Sequence, residues 1–225
     1  MTNILALDVS HNCCSVAVST DNIILSFIEE EEPHTQAEKL LNTIEDCLKK
    51  AVMDYSDIDY LAVTNGPGSF TGFRIGLATA HGICLASKIK PLTVSNLELF
   101  HFRAKEQIAK YKQIIVILNA YRRQIYWQTF SKNEVDNAKP TILSHDEAID
   151  HINSLDDNTI ISGTGIIEIY DQIHKNRKLT FLPRYKRIKA TNICKYAYLQ
   201  VKKNRVRNAL TPLYIRPPDA KISKK

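Results

Sequence analysis

With 225 residues, 44% of them hydrophobic and 24% charged, the chain reads as one large globular domain or two small ones. That make-up excludes a disordered, collagen-like, coiled-coil or disulfide-stapled protein. The net charge of +6 hides an asymmetry, because residues Arg184 to Lys225 carry 13 Lys and Arg against a single acid, Asp219, on an otherwise acidic chain.

The opening MTNILALDVS lacks a basic leader and turns polar at Asp8, so no signal peptide is expected. Residues 3 to 9, 14 to 20 and 22 to 28 are short runs rich in Ile, Val and Leu, which predicts three consecutive strands with a hairpin turn at Asp21-Asn22. From His34 to Met53 the apolar residues Ala37, Leu40, Leu41, Ile44, Leu48 and Val52 fall at helical spacing. A strand at 60 to 64 leads into the turn GPGSFTG (66 to 72) and a second helix to about Ala86. A strand at 91 to 94 and a third helix from Asn96 to about Ile108 follow.

The order then restarts. Strands are expected at 114 to 120, 124 to 130 and 141 to 143, with a helix opening at Ser144, where Glu147 completes a capping box. A strand at 159 to 163, a turn at Gly163-Thr164-Gly165 with a helix to about Lys175, and an amphipathic helix at 190 to 207 complete the chain. Both halves read β-β-β-α-β-turn-α, with a polar residue (Asp8, Asn119) closing the first strand of each. The expected fold class is α/β: a duplicated βββαβα unit in the two-lobed, ribonuclease H-like architecture of actin-like ATPases. The expected boundaries are 1–108 and 109–215 for the lobes, with 216–225 a mobile basic tail.

The longest apolar run, Ile114 to Leu118, falls far short of the roughly 20 residues that span a bilayer. Five cysteines without a CxxC pair point to reduced thiols in a cytoplasmic protein. The basic final segment is expected either to meet an anionic partner, nucleic acid or acidic protein, or to be a solvated face and tail.

Asp8, at a buried strand end, is a candidate to hold a metal-bound phosphate, or else a turn residue bonding its own backbone. With Ser10, Gly66, Gly68 and Ser69 it forms a possible phosphate cradle, since glycines allow the sharp turn and Ser69 or Thr71 can cap the helix. The turn is not a Walker A loop, for no Lys follows the last glycine. Gly72, Gly76 and Ala80 recur every four residues, a bare stripe that lets either a second protein or the chain's own sheet approach closely. None of the seven His form a helical i, i+4 pair, so a metallopeptidase is not expected; no GxSxG elbow occurs, and a Ser/His/Asp or Cys/His triad would have to be assembled from residues distant in sequence. Tyr126 and Trp127, with Tyr121, Arg122 and Arg123 nearby, combine aromatic and basic groups that either pack or stack on bases.

Taken together, ILALDVS, the His34-Thr35-Gln36 helix start, NGPGSFTGFRIGLATAHGICLA, VSNLELF, the IYW strand and PLYIRPP resemble the bacterial TsaB (YeaZ) family. The resemblance runs from the first strand to the tail. It implies a non-catalytic subunit of the machinery that places threonylcarbamoyl on N6 of adenosine 37 of tRNA, related to the catalytic subunit TsaD and to M22-type peptidases. VSNLELF stands where the catalytic relative carries its metal-binding HxxxH. The implied partners are a TsaD-like subunit, a TsaE-like ATPase, a second copy of the chain when alone, and tRNA through the complex, with no metal or cofactor of its own and ATP or ADP at most at the complex interface. The implied partner surface is the first two helices: His34, Leu41, Glu45, Thr71, Gly72, Arg74, Ile75, Gly76, Thr79 and Ala80. One turn departs from the family pattern, reading Asn119-Ala120-Tyr121-Arg122-Arg123-Gln124 without the usual acid and glycine. An actin-fold phosphotransferase and an inactive peptidase-like homodimer are the competing expectations.

Overall fold

The computed structural model describes residues 1–10, 13–31, 36–132, 138–155, 157–173, 179–182 and 187–216. The first half gives β1 (Asn3–Asp8), β2 (Cys14–Thr20), β3 (Ile23–Glu30), α1 (Gln36–Ala51), β4 (Tyr60–Thr64), α2 (Phe70–Ser87), β5 (Lys90–Val94) and α3 (Asn96–Gln107). The second gives β6 (Gln113–Asn119), β7 (Gln124–Ser131), β8 (Thr141–Ser144), α4 (His145–Asn153), β9 (Thr159–Ser162), α5 (Ile166–Ile169), β10 (Thr180–Leu182) and α6 (Ala190–Lys202). Two five-stranded sheets result, ordered β3-β2-β1-β4-β5 and β10-β9-β6-β7-β8. In each, the first strand of the repeat pairs antiparallel with the second and parallel with the fourth. The duplicated unit read from the sequence is therefore present in register as well as in order.

Local chemistry places these elements well. Ser69 caps α2, accepting from Gly72 N at 3.2 Å. The capping box at α4 is complete: Ser144 Oγ accepts from Glu147 N, and Ser144 N donates to Glu147 Oε2 at 2.8 Å. Asp21 makes the β2–β3 turn at φ 52°, its carboxylate accepting from Thr2 N at 3.0 Å. Two expectations need correction, and one strand has no counterpart among the expected elements. The helix expected to reach Lys175 is the four-residue α5 followed by a 3-10 turn at Tyr170–Gln172. The final helix stops at Lys202, because Asn204 takes the left-handed conformation (φ 54°) that asparagine tolerates. The short edge strand β10 has only three residues and no alternating pattern to announce it.

The layers run α1 and α2, first sheet, α3 and α6, second sheet, α4 and α5. Leu40, Ile44, Phe73 and Leu77 cover the outer face of the first sheet, and Ala148, Ile152 and Ile166 that of the second. Between the sheets, Ile4, Leu92 and Val94 share one core with Phe100, Ile193, Ile114 and Phe130. The boundary near 108 divides the sheets but not the helices. α3 packs on β6 and β9, whereas α6 returns to β1 and β2 of the first sheet. Burying an apolar helix face against either sheet is equally favourable, so topology rather than chain position assigns each helix.

After α6 the chain runs along the first sheet and across to the second. Thr93 N donates to Arg207 O at 2.9 Å, and Leu213 N to Asn65 O at 2.9 Å. Arg216 donates to Ala120 O (2.8 Å) and to Gln124 Oε1 (2.6 Å) in the second lobe. Tyr214 and Arg216, expected at or beside a free tail, thus belong to a strap tying the lobes together. The rest of that tail, 217–225, lies outside the described residues.

Candidate functional site

The carboxyl end of β1, the turn after β4 and the start of α3 converge, as the proposed phosphate cradle requires. Most of their polar groups are spent on each other, with Asn96 Oδ1 buried and left without a hydrogen-bond partner among the described residues. Asp8 is fully buried, and its Oδ1 accepts from Ser10 Oγ (2.6 Å), Ser10 N (3.2 Å) and Thr64 Oγ1 (2.5 Å). Asn96 Nδ2 donates to Ser10 Oγ at 2.9 Å and to Pro67 O at 2.8 Å, and Ser69 N donates to Ser10 O at 2.9 Å. Gly66 supplies φ +106°, and a Cβ on Gly68 would lie 3.0 Å from Ser10 O. The main chain at Ser10 thus lies directly against the turn. A phosphate does not fit between Ser10 and Gly68–Ser69, and Asp8 faces inward to the chain's own hydroxyls. The residues meet as read from the sequence, but as a closed structural knot.

α2 presents two unlike faces. Gly72, Gly76 and Ala80 are buried, and they point at the chain's own sheet. A Cβ on Gly72 would meet Val9 O at 2.0 Å, and one on Gly76 would meet Val9 Cγ2 at 3.1 Å. The bare stripe assigned to a partner is corrected: its missing side chains let α2 sit on β1 and β4. The outward face instead carries Thr71, Ala78, Gly82 and Leu85, with Ile75 half-buried at its edge against the chain's own core, at spacings of four, three, four and three like a coiled-coil seam. Leu85 is 79% exposed, and a Cβ on Gly82 would meet nothing within 4 Å. On the adjacent α1, Leu41 is 53% exposed and Glu45 is exposed. Thr71 and Arg74 are exposed and Thr79 half-buried, so these sequence candidates stay on the surface. Arg74 lies 3.7 Å over the Phe70 ring and donates to Tyr214 Oη from Nη2 at 2.8 Å, tying the strap to α2. His34 lies outside the described residues. The signal for the outer seam was in the sequence, in Gly82 and Leu85, but Gly72 and Gly76 masked it.

Residues 30–211 match the family model described as TsaD: tRNA N6-adenosine threonylcarbamoyltransferase. The chain belongs to this family, within its TsaB (YeaZ) group. A tRNA threonylcarbamoyladenosine biosynthesis protein TsaB of Buchnera aphidicola is 28% identical over 228 residues, covering 95% of this chain and 99% of that one. YeaZ from Pseudomonas aeruginosa superimposes with a TM-score of 0.78 at 24% identity, covering 95% of this chain and all of that one. A Bacteroides thetaiotaomicron protein with an actin-like ATPase fold gives 0.50 at 8% identity over 88% of this chain and 96% of that one, which supports the architecture alone.

In this TsaB-group chain the second lobe fills the slot of Asp8 with Asn119. Its Nδ2 donates to Glu168 Oε1 at 2.7 Å, and its Oδ1 accepts from Tyr121 N at 2.6 Å. Tyr121, Arg122 and Arg123 all have φ near +55° (56°, 53°, 55°), a costly run for non-glycine residues. Arg216 of the strap, the Asn119 side chain and the Ala120 N to Gln124 O bond hold it. Trp127 is buried and Tyr126 half-buried, so both pack within the lobe, whereas Tyr121 is 67% exposed.

The thiols are held in their neutral form. Burial, aided by the charge of Asp8, pushes Cys13 up to about 12, and burial raises Cys194 to about 12 and Cys14 and Cys84 to about 11. A thiol attacks as its thiolate, so these four are poor nucleophiles at neutral pH. Among the described residues, no three His, Cys, Asp or Glu side chains gather as a metal set, and no helix is long and apolar enough to cross a membrane.

Proposed function

We propose that the chain is a non-catalytic subunit in the synthesis of threonylcarbamoyladenosine at position 37 of tRNA, docking on a TsaD-like catalytic subunit through the outer seam of α2 and the neighbouring surface of α1. The exposed seam carries this reading. Leu85 and Leu41 offer apolar surface, and Gly82 lets a partner helix approach closely without a clash. Thr71, Arg74, Ile75, Thr79, Leu41 and Glu45 remain the contact residues, while Gly72, Gly76 and Ala80 shape α2 from behind. The knotted Asp8 cluster favours a structural role for that corner over phosphotransfer. The subunit would act by binding the active conformation of its partner more tightly than the inactive one. A TsaE-like ATPase completes the assembly in the cytoplasm. A second copy occupies the same seam when the partner is absent, and any ATP or ADP sits at the complex interface.

Reconstitution tests this. Modification of tRNA by the TsaD-like and TsaE-like proteins with ATP and the threonylcarbamoyl donor should require this chain. Leu85→Glu should abolish both complex formation and that stimulation while leaving the melting temperature of the chain unchanged. Full modification in the absence of the chain, or undiminished stimulation by Leu85→Glu, would refute the reading.

A further inference from the structure

We propose that the strap of residues 207–216 is a clasp through which the outer face of α2 governs the β6–β7 turn of the second lobe. This rests on the docking reading above only for what loads the clasp, since the clasp itself lies in the free chain. The turn runs from Ala120 to Gln124. Gln124 N donates to Tyr121 O at 3.0 Å across Arg122 and Arg123, and Ala120 N donates to Gln124 O at 2.9 Å. Arg122 and Arg123, at φ 53° and 55°, supply the positive pair of a type I′ hairpin turn, which Asn-Gly fills without strain and Arg-Arg does not. Tyr121, at 56°, adds a third left-handed residue before them. Such a run persists only where its surroundings impose it.

The strap is the part of those surroundings that links the turn to the first lobe. Arg216 Nη2 grips both ends of the turn, donating to Ala120 O at 2.8 Å and to Gln124 Oε1 at 2.6 Å. Two residues earlier, Tyr214 is seated on α2. Its ring lies 5.8 Å from that of Phe70 and 6.1 Å from that of Phe73, and its Oη accepts from Arg74 Nε at 3.0 Å and Nη2 at 2.8 Å. Two residues span at most about 7 Å, so the seat of Tyr214 limits where Arg216 can reach. No residue of the strap is buried, and none belongs to a helix or strand, so it opens at lower cost than the sheets. Two states follow: clasped, with the turn held left-handed, and unclasped, with the turn relaxed. Tyr214 and Phe70 are 52% and 53% exposed and adjoin Arg74 and Thr71 of the docking face. A partner on that face covers the outer side of the Tyr214 ring only while the strap is seated. It therefore binds the clasped state more tightly and stiffens a turn of the other lobe that it need not touch.

Amide hydrogen exchange of the full-length chain tests this. The hydrogen-bonded amides of Ala120, Tyr121 and Gln124 report the turn, and those of β9 serve as the reference. Arg216→Ala should speed exchange at the three turn amides at least about tenfold and leave β9 unchanged. Tyr214→Ala should act on the turn as strongly, and Arg74→Ala, at an exposed side chain that is safe to truncate, about threefold. Adding Tyr121→Gly to Arg216→Ala should slow the turn again about fivefold, because glycine takes positive φ freely and needs no clasp. Binding of the TsaD-like subunit to the unaltered chain should slow the same amides about fivefold. A turn indifferent to Tyr214→Ala and Arg74→Ala, or no rescue by Tyr121→Gly, would overturn the clasp. A complex that forms without slowing those amides would overturn its link to docking. Failure to form any complex would overturn the docking seam instead, and the free-chain variants would still decide the clasp.

Discussion

The two lobes close the same topological slot in different ways. In the first, the strand-end carboxylate of Asp8 is buried and bonded by Ser10 and Thr64. In the second, Asn119 takes its place nearer the surface and props up a left-handed turn with Glu168 and the strap. What persists in both is the close approach of a glycine to the first strand: Gly72 to Val9 O, and Gly163, at φ +117°, to Ile117 O. The duplicated frame keeps the close backbone approach, while the polar group at the strand end and its partners differ between the lobes.

The largest effects should come from those glycines. Gly72→Ala would bring a Cβ to 2.0 Å from Val9 O, and Gly163→Ala one to 2.1 Å from Ile117 O. Each should destabilise the chain by more than about 3 kcal/mol, seen as loss of a cooperative thermal transition. Tolerance at one site but not the other would break the equivalence of the lobes.

The strand ends should differ next. Asp8→Ala strands two buried hydroxyls and an amide, at a cost of about 2–4 kcal/mol in urea unfolding. Asn119→Ala, at a half-buried strand end, should cost about 1 kcal/mol. Equal losses would mean that the first-lobe knot is no tighter than the second.

Alkaline pH separates the lobes by composition. Cys13, Cys14, Cys47, Cys84 and Cys194 all lie on elements of or against the first sheet, and none lies between residues 95 and 193. Their folded pKa values are raised from 9.0, so the neutral thiols contribute stability that is full below pH 9 and lost as pH climbs toward about 11 to 12. Unfolding free energy should decline over that window, and Cys13→Ala with Cys194→Ala should flatten the decline. An unchanged slope would show that these two thiols do not drive it.

The smallest effect has the opposite sign. Gly82→Ala fills open space on a helix and should stabilise the free chain by about 0.5–1 kcal/mol, while weakening docking of the partner. Three glycines of one helix therefore report its two faces: Gly72 and Gly76 inward, Gly82 outward.

Much of this was legible beforehand. Strand β2 and strand β4 begin and end where their Ile, Val and Leu runs do, and Ser69 and Ser144 cap the helices their positions announced. The convergence of Asp8, Ser10 and Gly66–Ser69 was also legible, since a strand end and the turn after the parallel neighbouring strand must meet.

Periodicity and turn chemistry are local, so the sequence by itself determined the element order, the repeat, the capped helix starts and the glycine turns. Only the tertiary structure decided which face of α2 lies inward, which sheet each of α3 and α6 covers, and that Asp8 bonds to its own chain. A stripe of small residues suits a neighbouring strand and a foreign helix equally well, and a carboxylate accepts from any donor. Those choices depend on what arrives from far along the chain: Val9 beneath Gly72, Thr64 beside Asp8, and a strap from residues 207 to 216 binding the lobes.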